Sequence, residues 1–125
     1  MADKIVIMLL TVDLDRYGTL GAPFFQATVA AAMDLEVEIY FAGESTRLLI
    51  RGFAETIHPG TAREKSVYSF MQDAHDAGAR FYACAGAMAE NGLTVENAIP
   101  EMDGMRGGGG FIAEVIEPNV VTLTY

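Results

Sequence analysis

The chain has 125 residues, 51% of them hydrophobic, and a single cysteine, so it is long enough to bury a core as one domain and has no internal disulfide to help. Eight basic against 17 acidic residues give a formal charge of -9, which repels a phosphate backbone and argues against nucleic acid as a partner. No basic start precedes an apolar leader, and runs such as Ile5 to Leu10 fall far short of the ~20 residues of a membrane span, so a cytoplasmic protein is expected.

Lys4 to Thr11 is apolar without alternation, the pattern of a strand covered on both faces. A polar loop, Val12 to Gly18, leads to a predicted helix over Thr19 to Met33, with Pro23 tolerable in its first turn. Phe24, Phe25, Val29, Ala30, Ala31 and Met33 occupy more than one face of that helix, and a subunit interface accounts for the excess. Leu35 to Phe41 reads as a second strand, and Ala42 to Thr46 turns the chain at its carboxyl end. A short helix is expected over Thr46 to Ile50, then an irregular connection to Pro59-Gly60. Ala62 to Gly78 has the most regular amphipathic pattern, with Val67, Phe70, Met71 and Ala74 on one face.

From Ala79 to Gly92 a short buried strand runs into a helix, with Cys84 at the change of state and Gly92 as the stop. One or two helical turns are expected between Leu93 and Pro100, and a short edge strand over Met102 to Arg106. Gly107 to Gly110 opens a helix over Phe111 to Glu117 that Pro118 ends, and Val120 to Tyr125 is a β-branched final strand. Strands alternating with helices imply a parallel sheet with helices on both faces.

Cys84 is the candidate nucleophile. A thiol in the first turn of a helix meets the unpaired N–H groups, here those of Ala85 and Gly86, and the positive end of the dipole, which favour thiolate. Parallel sheets also bind ligands at the carboxyl ends of their strands, where Cys84 falls. By the same rule Tyr17, Gly43 and Ser45, in the loops after the first two strands, are candidate pocket residues. His75, beside Asp73 and Asp76, reads as solvated, and His58 lies in the irregular connection; neither is assigned a catalytic role. The histidines and the cysteine lack zinc-site spacing, so no metal is expected, and the chain has no G-x-S-x-G elbow, phosphate loop or dinucleotide fingerprint.

In the order and spacing of these segments the chain resembles the DsrE/DsrF-like family of sulfur-relay and sulfur-oxidation proteins. The likeness rests on Lys4 to Ile7, on Leu35 to Glu44 behind the alanine-rich helix, and on Cys84 followed by Gly92. It extends to the closing helix Phe111 to Ile116 and the strand Val120 to Thr124. The resemblance implies a three-layer α/β/α fold with an open, mainly parallel five-stranded sheet, assembly into trimers or hexamers, and a cysteine at the position of Cys84 that carries sulfane sulfur as a persulfide. Its partners are then sulfur donor and acceptor proteins or small sulfane-sulfur compounds, and no cofactor is required. The chain neighbours Ala83, Ala85 and Ala87 offer Cys84 no cationic side chain. A binding module of the same fold, oligomeric and non-enzymatic, with Cys84 structural and a small ligand or partner segment in the strand-end pocket, is the competing reading.

Overall fold

The computed structural model describes residues 2–60 and 65–125. Its centre is one sheet of five parallel strands: β1 (Lys4–Leu9), β2 (Glu36–Phe41), β3 (Arg80–Cys84), β4 (Met102–Arg106) and β5 (Val120–Thr124), in the order β4-β3-β2-β1-β5. Around it lie α1 (Gly21–Ala32), α2 (Val67–Ala77), the single turn α3 (Ala85–Met88) and α4 (Gly108–Val115). The chain steps from β1 through β4 in one direction across the sheet, then returns past them all to β5. Crossovers of one hand therefore send α4 to the face opposite α1 and α2, which produces the three layers.

The two faces differ in chemistry because side chains alternate along each strand. Ile7, Leu9, Val37, Ile39, Phe41, Phe81 and Ala83 join Leu20, Phe24 and Ala27 of the α1 segment and Val67, Met71 and Ala74 of α2 in one buried apolar cluster. The alternate residues Lys4, Glu38, Tyr40, Tyr82 and Arg106 form a polar layer beneath α4. No residue of α4 is fully buried.

All five expected strands are present, and the differences from the sequence reading lie at element ends and in the short helical segments. Leu10 and Thr11 are outside β1, their N–H groups donating to the Tyr125 carbonyl. The first helix begins with a 3₁₀ turn at Tyr17–Thr19, and the expected helix over 46–50 is a 3₁₀ segment, Gly43–Leu49. α2 starts at Val67 because the Ser66 hydroxyl accepts from the Ser69 N–H as an N-cap; the expected start at Ala62 lies outside the described residues. The turns expected within 93–100 are not helical. Thr94 and Asn97 bond each other reciprocally, and Ala98 bridges to Ile50. α4 begins within the glycine run, at Gly108, three residues before its expected start.

His75 is not simply solvated. Its Nε2 lies 3.0 Å from the Asp103 carboxylate, and its ring packs edge-on to Phe81. Asp103 sits where the β3–β4 register slips, and it accepts the Phe81 N–H at 2.8 Å that the bulge leaves without a ladder partner. The pair therefore secures the β4 edge at the amino end of the sheet, away from Cys84.

Candidate functional site

Cys84 is the last residue of β3 and the N-cap of α3, with extended backbone angles (φ -69, ψ 114). The strand ends there because Phe81, Tyr82 and Ala83 suit the sheet, whereas Ala85, Ala87 and Met88 favour a helix and the latter two bury themselves. α3 runs on through a 3₁₀ turn, Ala89–Asn91, that Gly92 closes at φ 73 in the left-handed conformation. The thiol is free and half-buried. Its sulfur takes no capping hydrogen bond from the first turn of α3, while Ala85 and Gly86 are exposed beside it.

No cationic side chain neighbours Cys84 along the chain; across the sheet its strand partner is Arg106, whose guanidinium is engaged by other residues. Cys84 is in register with Arg106 of β4, so both side chains leave the sheet on the α4 face at the same level. The Arg106 guanidinium stacks 3.8 Å over the Tyr82 ring and donates to the Tyr40 hydroxyl at 2.7 Å, with the Glu38 and Glu114 carboxylates 3.2 and 3.4 Å away. Lys4 completes the group, bonding Glu114 and lying 3.0 Å from Glu38. Burial is the largest influence on Arg106 and pulls its pKa down, but the hydrogen bond to Tyr40 and the surrounding oxygens outweigh it and leave the net shift upward. Burial also raises Tyr40, which stays a neutral hydrogen-bonding phenol. None of these residues was singled out from the sequence. The available signal was parity: Glu38 and Tyr40 alternate with the apolar Val37 and Ile39, which places them on the other face.

The loop residues separate into two groups. Gly43 is a structural glycine: its φ is +56, and a Cβ there would lie 3.1 Å from the Leu10 carbonyl oxygen. Its own carbonyl accepts from Thr46 and from Asn91, which ties the turn after β2 to α3. Ser45 is fully buried, its hydroxyl shared between the Leu9 and Ala42 carbonyls, so it braces the ends of β1 and β2 and presents nothing to a ligand. Tyr17 does line a cleft, together with Arg47 and His58 and without Cys84. Among the described residues no three or more His, Cys, Asp or Glu side chains converge to hold a metal ion, and no helix is long and apolar enough to cross a membrane.

A family model described as the DsrE/DsrF-like family matches residues 14–117. No curated protein matches the sequence. Among solved structures, a protein of unknown function, MTH1491 from Methanobacterium thermoautotrophicum, superposes with a TM-score of 0.68 at 15% identity, covering 98% of each chain. The ychN protein from E. coli gives 0.67 at 14% identity, covering 98% of this chain and 99% of its own. At these identities the likeness is one of fold.

Proposed function

The chain belongs to the DsrE/DsrF-like family, and from that premise we propose that it carries sulfane sulfur on Cys84. The observation that supports the reading best is the setting of the thiol: free, half-buried, at the carboxyl end of an inner strand and in register with an arginine. The exchange balances without a cofactor. The Cys84 thiolate attacks the outer sulfur of a donor persulfide, the donor S–S bond breaks, and the donor leaves as its thiolate. An acceptor thiolate then attacks the outer sulfur of the Cys84 persulfide and restores the Cys84 thiolate. The exposed Ala85 and Gly86 give a donor or acceptor a backbone approach to the sulfur. A reducing compartment such as the cytoplasm keeps a lone thiol available for this cycle.

The test is intact mass after incubation of reduced protein with polysulfide. The expected result is a labile gain of one sulfur, located at Cys84 and lost on adding a thiol acceptor; Cys84→Ser, still folded, gains none. A wild type that takes up no sulfur, or a serine variant that takes up as much, overturns the reading and leaves the binding module.

The reading includes self-assembly into trimers or hexamers, and the outer face of α1 supports it: Phe25, Val29 and Met33 are 57%, 43% and 62% exposed along a groove shared with Ile5, Leu35 and Leu123. Light scattering is expected to give a multiple of the 13.4 kDa chain mass, and Val29→Glu with Met33→Glu to reduce it to one chain. A wild type that stays at one chain mass at high concentration contradicts assembly.

A further inference from the structure

The cleft that holds Tyr17 has a volume of about 410 Å³ and lies between the loop after β1 and the segment after β2, at the carboxyl ends of the strands. That volume is within the range of small-molecule sites, and the position is where parallel sheets accept ligands. Its walls are preformed. The Glu44 carboxylate of the second wall accepts the Leu14 N–H of the first at 2.9 Å, and the Asp13 carboxylate fixes the Asp15 N–H. Further along, Ile57 bonds back to Ala54 and its carbonyl accepts from Val67 of α2.

Arg47 is the exposed residue in a turn whose neighbours Ser45, Thr46, Leu48 and Leu49 are buried, so a rigid backbone presents it. Its Nε donates to Asn91 at 3.2 Å, and Asn91 is itself fixed by the Gly43 and Ala87 carbonyls. Among the described residues the terminal nitrogens of the guanidinium make no hydrogen bond, and Arg47 lines the cleft. Among the described residues no carboxylate lies within ion-pair distance of Arg47, in a chain where acidic residues outnumber basic ones by 17 to 8. Asp15, the other charged side chain of the lining, makes no hydrogen bond through its carboxylate among the described residues. Leu14, Phe53 and Ile57 supply the apolar part of the wall.

A cation and an anion, both without an ionic partner among the described residues, and an apolar patch in the wall match a small zwitterion with a hydrocarbon body. The geometry points to a binding site for an apolar amino acid or a short peptide, its carboxylate held by the Arg47 fork, its ammonium by Asp15, and its side chain against Phe53 and Ile57. Arginine suits the first role because its planar donors meet both oxygens of a carboxylate. The ordered walls reduce the entropy cost of binding. This site stands independently of sulfur chemistry at Cys84, which is not part of its lining.

The probes are L-leucine, leucinamide, which lacks the carboxylate, and 4-methylpentanoate, which lacks the ammonium, each titrated into ¹⁵N-labelled full-length protein and followed by amide shifts. Leucine is expected to saturate shifts confined to residues 14–17 and 47–58, with leucinamide and 4-methylpentanoate each about tenfold weaker, a step of about 1.4 kcal/mol. Arg47→Gln, an exposed change that leaves the spectrum dispersed, weakens leucine about tenfold, and Asp15→Asn brings leucine down to the level of 4-methylpentanoate. The site is overturned by no shifts up to about 10 mM leucine, by shifts mapping elsewhere, or by Arg47→Gln binding leucine as the wild type does.

Discussion

Phe24→Ala is expected to lower the free energy of unfolding by about 3–5 kcal/mol. Phe24 is wholly buried in α1, its ring 6.0 Å from Phe41 of β2 and 6.3 Å from Phe81 of β3, while those two rings meet edge-on at 5.3 Å. The three rings come from a helix and two adjacent strands, so this contact is where the α1–α2 layer meets the sheet. Truncation loses the transfer energy of the ring and leaves a cavity that two flanking aromatics on paired strands cannot close. Against a total of about 5–15 kcal/mol for a domain, the loss is a fifth or more of the stability. Urea unfolding measures it, with Val95→Ala as the control: Val95 is 66% exposed, and its truncation is expected to cost under about 0.5 kcal/mol. A Phe24→Ala cost below about 1 kcal/mol contradicts the assigned centre of the core.

What the sequence made legible follows from how local each signal is. The inner strands could be read because burial on both faces removes polar residues from a short run, as in Ile5 to Leu9 and Ile39 to Phe41. Cys84 could be placed because strand-forming and helix-forming residues change over within a few positions. The segment between Leu93 and Ile99 misled because its residue types are compatible with a helical turn, whereas its two deeply buried residues, six apart, do not share a helix face and are anchored separately: Leu93 N–H donates to the Met88 carbonyl and Ile99 N–H to that of Leu49. Helix ends shifted where a side chain or a glycine set the cap, at Ser66 and Gly107.

The polar layer beneath α4 was not legible for a different reason. Its members come from β1, β2, β3, β4 and α4, and the contacts of Lys4 with Glu114 and of Arg106 with Glu38 span 110 and 68 residues. No local pattern marks such a group; only the strand order brings it together. The same holds for Arg47 and Asp15, which share a cleft only because β1 and β2 are neighbours.

Arg106→Met is expected to cost about 2–3 kcal/mol, somewhat below the 3–5 kcal/mol of breaking a fully buried ion pair, because Arg106 and Glu114 keep 29% of their side-chain surface in water. The substitution removes the stack on Tyr82 and the donor to Tyr40, and it leaves Glu38, only 12% exposed, sharing the single cation Lys4 with Glu114. Since α4 buries no residue completely, these ionic contacts join the edge contact of Phe111 with Tyr40 and the half-buried Val115 in holding it to the sheet. Hydrogen exchange should therefore show residues 108–115 losing protection in the variant before β1 or β3 does. The pH dependence follows from the same group. The hydrogen bond from Lys4, opposed by burial, holds the Glu114 carboxyl below its ordinary 4.5, so its contribution is complete above that pH and is lost as pH falls through the lower folded value. For Lys4, burial pulls downward but the bonds to Glu114 and Glu38 prevail and raise it above 10.5, so its contribution is complete below that pH and fades in stronger alkali. In urea unfolding, the wild type should exceed Glu114→Gln by a constant margin through the neutral range, and that margin should close on acidification. A margin that persists in strong acid, or α4 amides as protected in Arg106→Met as in the wild type, shows that α4 is held by something other than these charges.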